Sequence, residues 1–255
     1  MITVDDVTAR LVDAGFIAAH EESQELCDRS NGDDLVLESL VERRLRGEPL
    51  AWITGFVTFC GLSIRVDPGV YVPRWQSEPL ARRAASRLPQ RGSAIDLCTG
   101  SGAIATTLLS ERPDARVVAS DLDDRAVRCA TSNGVRAYQG DLFAPIARDL
   151  EGEIDVIVAV VPYVPTHSLS LLARDTFMFE SSLSYDGGAD GTDILRRVVS
   201  DSPRFLRDRG ALLIEVGGDQ SEILRDHFAQ CGFQNVITLL DEEGDVRGIE
   251  ATLRK

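Results

Sequence analysis

Residues Ile154-Asp155-Val156-Ile157-Val158-Ala159-Val160 form a nearly unbroken apolar run. A strand of this kind must be covered on both faces, as a central strand of a parallel sheet is. The chain around it alternates between two periods. Residues 94–97, 116–120 and 211–216 read as strands. Residues 102–109, 124–132 and 221–230 read as the helices between and after them. Residues 235–240, an acidic turn at 241–245 and residues 247–253 read as a hairpin. The expected fold is α/β and Rossmann-like: a mostly parallel sheet closed by a C-terminal antiparallel hairpin.

The first part of the chain has a different character. Val7, Leu11, Val12, Phe16 and Ile17 recur at spacings of three to five, as do Leu35, Leu37, Leu40, Val41 and Leu45. Both sets predict helices. Asn31-Gly32-Asp33-Asp34 predicts a turn running into a helix cap. Residues 52–59 and 62–66 read as short strands flanking Cys60-Gly61, and a helix is expected over 78–88. The expected division is a helical domain at 1–50, a β-hairpin linker at 51–73 and a ligand-binding domain at 74–255.

Composition excludes several classes. A net charge of −14 over 255 residues repels phosphate backbones, so no nucleic-acid partner is expected. No apolar run approaches the roughly 20 residues of a membrane span. The N-terminus lacks the basic-then-apolar pattern of a secretory leader, and a cytoplasmic protein is expected. The five cysteines are dispersed, with no CxxC pair, so neither a metal site nor a disulfide framework is expected.

Three features fall at strand ends, where a doubly wound sheet binds ligands. Asp96-Leu97-Cys98-Thr99-Gly100-Ser101-Gly102 is a glycine-bearing turn into a helix, whose N-terminal N–H groups suit a carboxylate. Asp121 ends the next strand, 19 residues after Gly102, where a carboxylate can accept from both ribose hydroxyls. Asp141-Leu142-Phe143 follows a third short strand, with an acid for an exocyclic amine and apolar groups for a ring face. This pattern fits either a nicotinamide dinucleotide or S-adenosylmethionine. The antiparallel ending favours the second.

Longer motifs carry a resemblance. Gly47-Glu48-Pro49-Leu50-Ala51-Trp52-Ile53-Thr54-Gly55, Phe59-Cys60-Gly61-Leu62, Tyr71-Val72-Pro73-Arg74 with Glu78, Glu180 with Asp186-Gly187-Gly188-Ala189-Asp190-Gly191, and Asp241 to Arg247 stand in order along the chain. With Val160-Val161-Pro162-Tyr163, they resemble the HemK/PrmC family. These are class I S-adenosylmethionine-dependent methyltransferases that modify a glutamine side-chain nitrogen in peptide release factors. The resemblance implies S-adenosylmethionine as cofactor, with contacts from Asp96, Leu97, Cys98, Thr99, Gly100, Gly102, Asp121, Leu122, Asp141, Leu142 and Val160.

The sequence departs from the family where the acceptor sits. The family's NPPY is Val160-Val161-Pro162-Tyr163 here, so the asparagine that holds the substrate amide is a valine. Ser181 follows Glu180 where the family has proline. An apolar wall of Trp75, Val161, Pro162, Tyr163, Phe177 and Phe179 leads to the expectation of a different acceptor: a flat aromatic small molecule of natural-product biosynthesis, either methylated or closed into a cyclopropane with loss of S-adenosylhomocysteine. Tyr163, His167 and Glu180 are the candidate catalytic residues. The alternatives are a glutamine methyltransferase acting on a release factor, and a non-catalytic cofactor-binding protein.

Overall fold

The computed structural model describes residues 2–171 and 179–255. Helices come first: α1 (Val4–Asp13), α2 (Ala19–Ser30), α3 (Asp34–Leu45) and α4 (Leu50–Thr54). Thr3 caps α1 through a reciprocal capping box with Asp6. Asp33 caps α3, accepting from the N–H groups of Leu35 and Val36, as the Asn31–Asp34 turn predicts. The buried side chains of α1 to α4 meet in a core of their own around Val7, Leu11, Leu26, Leu40, Val41 and Ile53.

Three details differ from the periodicity reading. Helix α2 carries no apolar signal because its buried face is largely small or polar: Ala19, Ser23, Leu26 and Ser30. Val12 and Ile17 are exposed, since the chain turns away after Asp13. Residues 52–54 are helical and not extended. Pro49 starts that turn, and Gly55, in a left-handed conformation, ends it. The strands after it are β1 (Phe56–Phe59) and β2 (Leu62–Arg65), an antiparallel pair.

The remaining elements are α5 (Glu78–Arg87), β3 (Ser93–Leu97), α6 (Ala103–Glu111), β4 (Arg116–Asp121), α7 (Asp124–Ser132), β5 (Arg136–Gln139), β6 (Ile154–Ala159), α8 (Asp193–Phe205), β7 (Leu206–Glu215), α9 (Gln220–Ile223), α10 (Arg225–Gln230), β8 (Phe233–Leu240) and β9 (Val246–Leu253). The sheet runs β5-β4-β3-β6-β7-β9-β8. Its first five strands are parallel, and β9 pairs antiparallel with both β7 and β8. Strand β6 is buried along its whole length, as its apolar run requires.

Alternation along the strands divides the core. Ala94, Val156, Val158 and Leu213 face α5 and α6, while Ile95, Leu97, Ile157, Leu212 and Ile214 face α8 and α10. Strand order reverses between β3 and β6, which opens a crevice at their carboxyl ends. Gly102, at the start of α6, permits close packing there. A Cβ on it would lie 3.0 Å from Ala130 Cβ and from Val135 Cγ2, and its φ is +82°. No helix among the described residues is long and apolar enough to cross a membrane.

Candidate active site

A cavity of about 700 Å³ fills the crevice at the carboxyl ends of β3, β4 and β6. One half of it is built by the glycine turn and the two acids after it. Asp96, at the end of β3, is buried and accepts from Thr99 Oγ1 at 2.6 Å and from the Ala105 N–H at 3.1 Å. Burial pushes its carboxyl up to about 7, against the pull of those donors. Asp121 accepts from the N–H groups of Gly100 at 2.8 Å and Asp123 at 2.9 Å. Burial raises its carboxyl above the ordinary range as well.

Asp141 and Leu142 line the same half. Leu142 has a φ of 48°, and its carbonyl accepts from Ser120 Oγ at 2.7 Å, which anchors the loop to β4. Asp141 is exposed and paired with Arg197 at 2.7 Å. Cys98, Thr99, Gly100 and Leu122 also line the wall, and burial pushes the Cys98 thiol up. Leu97 does not line it: its side chain is fully buried in the sheet core. Gly102 acts through packing, beneath the turn.

The other half is the loop after β6. Val160 is half-buried and lines the cavity beside Pro162 and Tyr163. Val161 also borders it, but the residue is only 2% exposed and belongs to the core. Among the described residues, the carbonyls of Val161 and Pro162 accept no hydrogen bond. The loop continues as a bridge from Val164 to Asp186, with the Val164 N–H donating to the Tyr185 carbonyl at 2.8 Å and the Gly187 N–H to the Val164 carbonyl at 2.9 Å. Gly187 allows that approach, because a Cβ on it would lie 2.7 Å from Tyr163 Cα and 2.8 Å from the Pro162 carbonyl oxygen.

A polar cluster closes the cavity between these halves and the linker. Glu180 is buried, and its Oε1 accepts the Val72 N–H at 2.9 Å. Its Oε2 accepts from Arg74 at 2.6 Å and from the Tyr185 hydroxyl. Arg74 also stacks over Tyr71, 5.3 Å from the ring centroid, and Tyr71 meets Tyr185 edge-on at 5.6 Å. Burial pushes the Tyr71 hydroxyl up to about 12. With its oxygens engaged by three donors, Glu180 is built to hold Arg74 and Tyr185 at the cavity wall. The same donors compete with any proton transfer to it.

Several residues singled out by sequence stand apart from the cavity. His167 is exposed in the short 3₁₀ segment Thr166–Leu171. Trp75 is 67% exposed in the 3₁₀ turn Trp75–Ser77, and neither residue lines the cavity. Phe179 packs edge-on against Trp52 at 6.3 Å, in a separate cluster with Val66, Val70 and Val72. Phe177 lies outside the described residues. Conversely, Ser77, Tyr71, Arg74, Ser101, Leu183 and Tyr185 line the cavity without having been picked out individually as site residues. Arg74 was legible as part of a motif. Its partnership with Glu180 is a contact over 106 positions that no local pattern encodes.

The site has known counterparts. The Methyltransferase small domain family model matches residues 64–181. The release factor glutamine methyltransferase of Geobacter sulfurreducens is 35% identical over 211 residues, covering 80% of this chain and 73% of that protein. Its counterpart from Mycolicibacterium smegmatis is 32% identical over 254 residues, covering 94% of this chain and 90% of that one. The solved E. cuniculi Mtq2–Trm112 complex shares the fold, with a TM-score of 0.55 at 20% identity over 73% of this chain and 99% of that one. The expectation of an aromatic small-molecule acceptor, with natural-product methylation or cyclopropanation, is overturned by these relatives, which are release factor glutamine methyltransferases. The apolar wall behind that expectation does not assemble among the described residues either: Trp75 is exposed and Phe179 packs against Trp52, away from the cavity. The ordered motifs, spread over four-fifths of the sequence, place the chain in the HemK/PrmC family of S-adenosylmethionine-dependent release factor glutamine methyltransferases.

Proposed function

We propose that the protein methylates the side-chain nitrogen of a glutamine in a peptide release factor. The observation that carries this reading is the likeness at 35% identity to a release factor glutamine methyltransferase, extending across both halves of the cavity. The residues present fit S-adenosylmethionine. Asp121 suits a ribose diol, and Asp141 and Leu142 suit an adenine edge and face. Asp96 suits the ammonium of the amino-acid end, and Ser101 Oγ is buried at the cavity wall with no partner among the described residues. When bound, the cofactor supplies an electrophilic methyl group.

The chain's own task is then to hold a planar amide in line and dry. An amide nitrogen carries two N–H donors and needs two acceptors to fix its plane. Val160 offers only its main chain, so the acceptors are assigned to main-chain carbonyls of the loop after β6, which lines the cavity. Alignment of this kind can supply roughly 7–11 kcal/mol of the barrier without a general base. The proton shed by the methylated nitrogen passes to water. The helical part expected at 1–50 extends to Thr54, because α4 packs in the core of α1 to α3; this part docks the protein substrate, with the hairpin linker running from there to residue 73 and the ligand-binding part over 74–255. A cytosolic location goes with that substrate.

The test is direct. Purified protein is incubated with a full-length release factor and methyl-labelled cofactor, and the product peptide is analysed by mass spectrometry. A methyl group on the glutamine side chain is expected. No transfer to any release factor from the source organism would sink the reading.

A further inference from the structure

The acceptor loop is gripped from behind by two side chains outside the cavity lining. Glu215, the last residue of β7, accepts from the Tyr163 hydroxyl at 2.9 Å through Oε1. It is 5% exposed, and besides Tyr163 its buried carboxylate is faced by the Ser77 hydroxyl and the Arg247 charge. Gln220, at the start of α9, is 4% exposed. Its Nε2 donates to the Tyr163 carbonyl at 2.7 Å, and its Oε1 accepts the Gly217 N–H at 3.0 Å. Tyr163 is therefore fixed at both ends, ring hydroxyl and main chain, by residues on the neighbouring strand and the helix after it.

This arrangement is costly as pure scaffolding. A carboxylate buried this deeply loses hydration that neutral hydroxyl donors do not restore, and burial holds the Glu215 carboxyl above the ordinary range despite Ser77, Tyr163 and the Arg247 charge. A phenylalanine over a leucine would fill similar space without that penalty. What the polar pair adds is direction. It sets the Tyr163 ring, and Gln220 sets the peptide beside it, at the point where the loop must present carbonyls to an amide. The need is greater here because residue 160 is valine.

We infer that Glu215 and Gln220 are positioning residues for the acceptor, acting through Tyr163 to hold the Val160–Tyr163 main chain that stands in for a missing side-chain amide. This rests on the proposed glutamine methyltransferase activity.

The experiment compares Glu215→Leu, Glu215→Gln, Gln220→Leu, Tyr163→Phe and the double variant Tyr163→Phe/Glu215→Leu with the unaltered protein. Three quantities are read: cofactor affinity by calorimetry, hydrogen exchange of the amides at 160–164, and kinetics on a full-length release factor. Glu215→Leu, Gln220→Leu and Tyr163→Phe should each lower kcat/KM roughly 10–100-fold, mostly in kcat, the range expected when a buried partner is left unpaired. Cofactor affinity should stay within about threefold, since those contacts lie in the other half. Exchange at 160–164 should quicken. The double variant should be no worse than either of its single changes, and Glu215→Gln, which keeps an acceptor at Oε1, should recover most of the loss.

The inference is overturned if Glu215→Leu or Gln220→Leu leaves exchange and kinetics unchanged, if cofactor affinity falls in step with activity, or if the double variant shows the product of its two single losses. Should Glu215→Leu fail to fold, Gln220→Leu and Tyr163→Phe, with Glu215→Gln as the conservative control, decide by the same readouts. Should the unaltered protein not act on release factors, the activity proposal falls. The exchange at 160–164 then still upholds or overturns the clamp.

Discussion

Arg74 and Glu180 form an ion pair of 2.6 Å that joins the start of the ligand-binding part, just after the linker, to the segment facing the cavity, across 106 positions of chain. Only the glutamate is deeply buried: the side chains are 38% and 1% exposed. Burial alone would depress the Arg74 guanidinium, but Glu180 and the two tyrosines outweigh that and keep it charged. Arg74→Met should therefore leave a buried carboxylate with only the Val72 N–H and the Tyr185 hydroxyl. A loss of about 1–3 kcal/mol is expected, less than for a fully buried pair because the arginine is partly solvated. Thermal denaturation measures it. An unchanged melting temperature would show the pair to be energetically idle.

Asp121 should matter more to cofactor affinity than Asp141. The first is tied to Gly100 and Asp123 and aimed into the cavity, whereas the second is exposed and already paired with Arg197. Asp121→Ala should weaken S-adenosylmethionine binding by roughly 10–100-fold, and Asp141→Ala by about tenfold or less. Calorimetry on both variants decides it, and the reverse order would refute the assignment.

Asp96 should make stability fall as pH rises. Its folded carboxyl titrates at about 7, above the ordinary 3.8. The protonated form is thus favoured by folding. Its contribution is complete below about pH 4 and is lost as pH climbs through about 7, on the order of a few kcal/mol. Denaturant unfolding of the unaltered protein and Asp96→Asn between pH 4 and 8 isolates the effect. The variant should lack this downward component, and parallel curves would contradict it.

Restoring the family's asparagine offers a gain-of-function check. Val160 is half-buried at the cavity wall, so a polar side chain there faces the space where an amide would sit. Val160→Asn should raise kcat/KM on a release factor about tenfold, as one added hydrogen bond to the acceptor would. A drop in activity would mean that the loop has been rebuilt around valine.

His167 and Trp75 serve as controls. Both lie outside the cavity lining, and His167 is exposed. His167→Ala should leave kcat within about twofold, as a surface change does. Trp75→Ala should leave cofactor affinity unaltered. A large kcat loss in His167→Ala would return it to the chemistry.

Much of this protein is written locally. The apolar run at 154–160, the strand–helix alternation and the hairpin at the end fix a parallel sheet with an antiparallel edge, because burial on both faces leaves an unmistakable composition. The Asp96–Gly102 turn, Asp121 and Asp141 are legible because each marks a strand end. Helix α2 was not legible, since its buried face is largely small or polar. Helix α8 has an apolar buried face of Leu195, Val198 and Val199, but no side-chain cap marks its start and Pro203 lies inside it. The short helix at Leu50–Thr54 was hidden by residues that favour strands.

Tertiary structure alone decided what surrounds Tyr163 and Glu180. The contacts from Glu215 and Gln220 to Tyr163, and from Val72, Arg74 and Tyr185 to Glu180, depend on which strand lies beside which. A sequence lists the groups that can pair. Only the folded chain, by burying some carboxylates and exposing others, selects the pairs that form and hence which residues face the chemistry.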